Sequence, residues 1–260
     1  MKARGAALFG HFVPLALILA TTSAASGATR RRHFEPDDLE LEPPGVLDFD
    51  LQVGPVLGTS PSGNHVLIPD FEISLGLTRN VELDLIGALT LDRENGRRHL
   101  TGDALWIASK LGLFETRDAR GNAWVLGLEL GPRLPTFDAA GIGYGVLGLL
   151  GFSRRGLALA LNVGSLIDPG ASSSQKPPSS LVFGLDLNAQ LDQRGQWSLQ
   201  SEFGAAHYLS SDADELALAL GATCAVSRRL DVSLTALGGF LPNTDHLGLL
   251  LGVSPQLGLW

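Results

Sequence analysis

From Val46 to the last residue the chain repeats one pattern, with Leu, Val, Phe or Ala at every second position and polar or small residues between. Val81-Glu82-Leu83-Asp84-Leu85 shows it in five residues. Side chains on an extended strand point alternately to two faces, so a period of two predicts strands with one apolar and one polar surface. Bounded by turn residues, the pattern predicts about twelve strands of roughly ten residues each. They are Val46–Val56, His65–Leu77, Val81–Leu91, Leu100–Phe114, Trp124–Arg133, Ile142–Ser153, Leu157–Leu166, Leu181–Leu191, Gln196–Tyr208, Glu215–Val226, Leu230–Phe240 and Leu247–Trp260. No amphipathic helix interrupts them.

The connections alternate in length. Thr78-Arg79-Asn80, Arg154-Arg155-Gly156, Asp192-Gln193-Arg194-Gly195 and Ser227-Arg228-Arg229 read as tight turns, and residues 92–98, 134–141, 167–179 and 241–245 as longer loops. Only Glu115–Asn122 is longer than its place in the alternation requires. An even number of ten-residue strands, apolar on one face throughout, predicts an all-β fold: an antiparallel transmembrane β-barrel of about twelve strands. Tight turns mark the periplasmic side of such barrels, which puts both termini in the periplasm.

The N-terminal residues fit that destination. Lys2 and Arg4 precede an apolar run from Ala6 to Ala20 and small residues ending in Ser23-Ala24-Ala25 and Ser26-Gly27-Ala28. This is the form of a signal peptide over residues 1–28. Residues 29–44, with Arg30-Arg31-Arg32 followed by five acids and three prolines, predict a disordered periplasmic lead, and residues 45–260 the barrel. The expected location is the outer membrane of a Gram-negative bacterium, with its lipid and the barrel-assembly machinery as partners. Removing the leader leaves 17 basic against 27 acidic side chains, a net charge of −10, which argues against nucleic acid as a partner. The single cysteine, Cys224, can form no internal disulfide and falls at an apolar position.

Aromatic residues fall near strand ends, as interfacial girdles require: Phe71, Phe114, Trp124, Tyr144, Phe152, Trp197, Tyr208, Phe240 and Trp260. A terminal aromatic is part of the signal read by assembly machinery. Here Trp260 has the opposite parity to Leu247, Leu249, Leu251, Val253, Leu257 and Leu259.

If the leucine-rich face meets lipid, the other face lines a lumen, where ionisable groups are cheap to hold. The candidate lumen residues are Asp48, Asp50, Glu72, Glu82, Asp84, Lys110, Glu129, Arg133, Asp186 and Glu202. Two readings compete: a path favouring cations or polar solutes, and a hydrogen-bonded plug filling a narrow interior. The expected function is a channel or transporter for small molecules. The alternatives are a non-conducting structural or binding barrel, or an enzyme with a rim site. For the enzyme, His65, His99, His207 and His246 lie at loop-side strand ends near Ser60, Ser62, Ser210, Ser211 and Asp245. Polar rim residues explain them equally well, and no catalytic set, metal site or cofactor is predicted.

Three segments resemble a known family. Pro44-Gly45-Val46-Leu47-Asp48-Phe49-Asp50, Gly76-Leu77-Thr78-Arg79-Asn80-Val81-Glu82-Leu83, and Gly102-Asp103 with Lys110-Leu111-Gly112-Leu113 look like the outer-membrane barrels grouped as putative transporters of the phenol-degradation meta pathway. That resemblance implies an outer-membrane barrel admitting hydrophobic or aromatic compounds. This chain departs from an aromatic-lined path, with Trp106 and Tyr208 the main aromatics at lumen parity.

Overall fold

Each alternating segment pairs with the next one along the chain. The structure, a computed structural model, describes residues 41–58, 64–94, 97–102, 104–136, 139–167, 169–171, 179–209, 214–241 and 244–260. The expected signal peptide and most of the expected lead lie outside these. In order the strands are β1 (Val46–Leu57), β2 (Asn64–Thr78), β3 (Val81–Glu94), β4 (Arg97–Gly102), β5 (Leu105–Arg117), β6 (Ala123–Leu134), β7 (Ala139–Ala140), β8 (Gly143–Arg154), β9 (Leu157–Ile167), β10 (Gly170–Ala171), β11 (Ser179–Gln190), β12 (Trp197–Tyr208), β13 (Glu215–Ser227), β14 (Leu230–Gly239) and β15 (Leu247–Gly258).

All pairings are antiparallel, and β1 bonds to both β2 and β15, so the sheet closes without a free edge. β4 and β5 both pair with β3 and together occupy one staves-width of the wall, giving a twelve-stranded barrel. The segment expected as one strand from Leu100 to Phe114 is thus divided around residues 103–104. Much of the expected loop 92–98 is a β3–β4 hairpin, because the ladder runs on to Glu94↔Arg97. β7 and β10 pair with each other and tie the connection after β6 to the one after β9.

The wall has the predicted two faces. Leu83, Ile107, Leu126, Leu150, Leu199, Leu234 and Leu251 are exposed on the outside, where no water-soluble fold would leave such a belt. A closed barrel with an apolar exterior and ionisable groups within is an outer-membrane architecture.

At one end, the turn end, connections are short. Arg155 and Gly156 both have positive φ (46° and 79°), the requirement of a two-residue turn whose twist matches its flanking strands. The segment Glu115–Asn122, long by sequence, is a shorter connection than expected: β5 continues to Arg117, leaving the five residues 118–122 to connect to β6. Asp118 organises it by accepting from the N–H groups of Arg120 and Asn122 and from the Asn122 amide at 2.6 Å. The Asn122 backbone N–H foremost, with its side chain and the Arg120 N–H, holds the Asp118 carboxyl below the usual aspartate value. Arginine marks every turn here, with Arg79, Arg117 and Arg120, Arg154 and Arg155, Arg194, and Arg228 and Arg229.

The aromatic assignment needs one correction. Tyr208 faces inward, paired with Ser180 and 7% exposed, and its hydroxyl donates to Glu215 at 3.3 Å. Its parity places it in the interior, and the carboxylate satisfies its hydroxyl. Trp260 lies beyond the end of β15, so strand parity does not govern it. Its ring sits over Gly45, whose carbonyl accepts from the Leu259 N–H at 2.7 Å.

Candidate functional site

The polar interior is not uniform from end to end. On β1, read from the turn end, the inward residues run Asp48, Asp50, Gln52 and then Val56; on β14 they run Asp231, Ser233, Thr235 and then Leu237. β3 gives Glu82 and Asp84 before Ile86 and Ala88. On these strands the turn-end half of the interior is therefore polar and largely acidic, and the loop-end half apolar.

The acidic half encloses a cavity of about 680 Å³ opening at the turn end. Asp48, Asp50, Glu72 and Glu82 form one wall, from neighbouring β1, β2 and β3, and Asp186 with Asn188 faces them from β11. Small hydroxyls orient two of these carboxylates: Ser254 Oγ donates to Asp50 at 2.8 Å, and Ser74 Oγ to Glu72 at 3.2 Å. Four arginines, Arg79, Arg117, Arg154 and Arg155, border the mouth.

Deeper, the charges are packed away from water. Lys110 on β5 stands between Glu82 on β3 and Glu129 on β6 in one cross-strand row. Its Nζ donates to Glu82 Oε1 at 3.2 Å, with both side chains 1% exposed. Asp84 lies one rung along and neither of its carboxylate oxygens accepts a hydrogen bond. Asp186 and Glu202 are cross-strand neighbours on the opposite wall. The Arg133 guanidinium stands 5.8 Å from the Trp106 ring centre.

Beyond this row the interior fills with apolar side chains in two clusters: Trp106, Ala108, Leu147 and Leu149; and Val56, Leu67, Ala219, Leu237 and Leu250. Leu147, Val56 and Leu250 have no exposed surface. Gly145 makes the first cluster fit, since a Cβ there would meet the Trp106 ring at 2.6 Å. Trp106 Nε1–H donates to the Gly131 carbonyl at 3.2 Å, which satisfies its one polar atom.

All ten candidate lumen residues point inward, and the structure divides them. Asp48, Asp50, Glu72, Glu82 and Asp186 border the cavity, while Asp84, Lys110, Glu129, Arg133 and Glu202 are packed within the interior. The sequence reading passed over Ser74, Ser254, Asn162 and Thr223, all buried inside the barrel; their lumen parity was the available signal. Of the expected lead, residues 41–44 are described, and they lie in the turn-end mouth. The Glu42 N–H donates to the Glu82 carboxylate, and Leu41 borders the cavity. Gly76 makes room for them, since a Cβ there would lie 2.3 Å from the Glu42 and Pro43 carbonyl oxygens.

At the loop-end rim, His65 Nε2 is 3.4 Å from Asp245, and His207 Nδ1 2.9 Å from Asp214. The His207 contact holds the Asp214 carboxyl below its usual value. Ser60, Ser62, Ser210 and Ser211 lie outside the described residues.

Fold and interior define an outer-membrane β-barrel, and one solved structure shares that fold. An outer-membrane channel of Pseudomonas putida F1 superposes with a TM-score of 0.56 over 86% of this chain and all of its own, at 12% identity. The translocator domain of the autotransporter NalP from Neisseria meningitidis gives 0.38 at 14% identity, covering 81% of this chain and 86% of that one. No family model and no curated protein matches the sequence, so the likeness to the phenol meta-pathway barrels rests on its three short segments.

Proposed function

We propose that this chain is an outer-membrane channel for small polar solutes, with a preference for cations. The carrying observation is the carboxylate wall of Asp48, Asp50 and Glu72, backed by the buried Glu82, along a cavity of about 680 Å³ at the turn end. Such a wall sets a negative potential that draws cations in and repels anions, and salt weakens it. The P. putida protein of the same architecture is named as a channel, which supports the reading. Aromatic or hydrophobic solutes, implied by the family resemblance, are less well served: Trp106 and Tyr208, the inward aromatics among the described residues, are both already packed.

The apolar clusters favour a second reading, a non-conducting barrel whose cavity only binds, because conduction requires Leu147, Leu237 and Leu250 to give way. Planar-bilayer recording separates the two. The channel reading expects discrete conductance, a reversal potential favouring K⁺ over Cl⁻ at low salt, and reduced preference in the Asp50→Asn/Glu72→Gln/Asp84→Asn variant. Conductance with unchanged selectivity refutes the role of the carboxylates, and no conductance leaves the binding barrel.

With the turn end in the periplasm, Cys at Gly170 is labelled on intact cells by an impermeant maleimide and Cys at Arg155 is not. The reverse labelling overturns this orientation.

A further inference from the structure

The turn end carries a feature that reaches beyond the channel mouth, where Arg79, Arg117, Arg154 and Arg155 border the cavity. Its five short connections hold eight arginines and no lysine, against three acidic side chains, Glu115, Asp118 and Asp192. Those acids are engaged locally. Glu115 meets Arg117 at 2.7 Å, Asp118 closes its own turn, and Asp192 accepts from the N–H groups of Arg194 and Trp197. Most of the positive charge therefore remains for a partner outside the chain.

The arginines also have a defined depth. Phe114 is three residues from Arg117, Phe152 two from Arg154, and Trp197 three from Arg194. Phe152 packs against Trp124 with ring centres 4.7 Å apart, and Phe114, Trp124 and Trp197 are at least half exposed on the outer wall. Exposed aromatics of this kind sit at the boundary of the hydrocarbon layer. Two or three residues on a strand tilted near 45° rise about 5–7 Å along the membrane normal. That is roughly the half-thickness between the hydrocarbon edge and the outer limit of the headgroups, about 5–7 Å per leaflet. This spacing puts the arginine positions within the headgroup layer, and a planar fork of donors suits phosphate oxygens better than an ammonium does.

We propose that the turn end is a collar for anionic phospholipid headgroups, holding a shell of phosphatidylglycerol-type lipids around the barrel. The collar does not depend on which side of the membrane the turn end faces.

The test is lipid selectivity of the full barrel in nanodiscs of phosphatidylcholine containing spin-labelled phosphatidylglycerol or spin-labelled phosphatidylcholine, read as the motionally restricted fraction. The expected result is about a fivefold preference for phosphatidylglycerol at low salt, weakened by added salt. The preference should be lost in the variant Arg154→Gln/Arg155→Gln/Arg194→Gln/Arg228→Gln/Arg229→Gln. It should be retained in Arg98→Gln at the loop end. If the quintuple variant does not fold, Arg228→Gln/Arg229→Gln alone should reduce the preference by about half. Absence of preference in the wild type, or full preference in the folded variants, overturns the proposal. Binding of soluble peptidoglycan strands without lipid selectivity overturns it in favour of a wall contact.

Discussion

Replacing Lys110 by Met removes the one cation placed between Glu82 and Glu129. Lys110 has no exposed surface, and its Nζ lies 3.2 Å from Glu82 Oε1. At an effective dielectric constant near 20, a pair at that separation attracts by about 5 kcal/mol. Much of this offsets the cost of desolvating both groups, so the informative quantity is the cost of leaving one partner alone. For buried pairs that cost is about 3–5 kcal/mol. Lys110→Met should therefore destabilise the barrel by that amount, while Glu82→Gln in the same chain, which keeps the volume and removes the orphaned charge, should recover at least about 1 kcal/mol of it. Reversible urea unfolding in lipid vesicles, followed by tryptophan fluorescence, reads the difference, and heat-resistant mobility in detergent gels confirms folding. A loss below about 1 kcal/mol for the single variant, or a double variant less stable than the single, would refute a compensated buried row.

Three further outcomes test other parts of the structure. Leu85→Arg, on the outer face opposite Ile107, should cost about 2–4 kcal/mol in the same assay, whereas Asn188→Arg, bordering the cavity, should cost far less; equal costs contradict the assignment of faces. Gly145→Ala should strain the Trp106 cluster by about 1–3 kcal/mol and shift tryptophan emission, and Trp106→Phe should relieve it; an unperturbed Gly145→Ala barrel shows that the ring is not confined. Because the hydrogen bonds to Asp118 lower its folded-state pKa, its contribution is complete above the ordinary value of 3.8 and is lost as pH falls through the lower folded value; carboxyl NMR should find the midpoint below 3.8, and one at or above it contradicts the turn geometry.

The wall was legible in the sequence because its physics is local. Whether Leu83 or Asp84 meets lipid follows from a period of two, and all twelve expected strands overlap strands of the barrel. Boundaries were less legible where a hydrogen-bonding side chain rather than a strand breaker sets the turn, as Asp118 does. The division of the interior into acidic and apolar halves was present in the order Asp48, Asp50, Gln52, Val56, but it becomes visible only when neighbouring strands are placed in register. Gly145 beneath Trp106, and Gly76 beneath Glu42 and Pro43, carry no pattern in one dimension. They matter through residues 39 and 33–34 positions away along the chain.

The seam between β1 and β15 joins residues very far apart in sequence, with Val46 opposite Gly258, whereas Thr78 and Val81 meet across a tight turn. For a free chain, closing a loop of about two hundred residues rather than about ten adds roughly 2–3 kcal/mol of entropy cost. No contact within the seam returns that cost until many rungs have formed. Hairpins must therefore assemble first and curve the sheet until its two edges approach, leaving the seam as the slow, late step of folding. Until then β1 and β15 are bare edges, the most association-prone surfaces the chain will ever present, and the Gly45–Leu259 hydrogen bond under the Trp260 ring lies at the turn-end limit of the ladder that finally covers them.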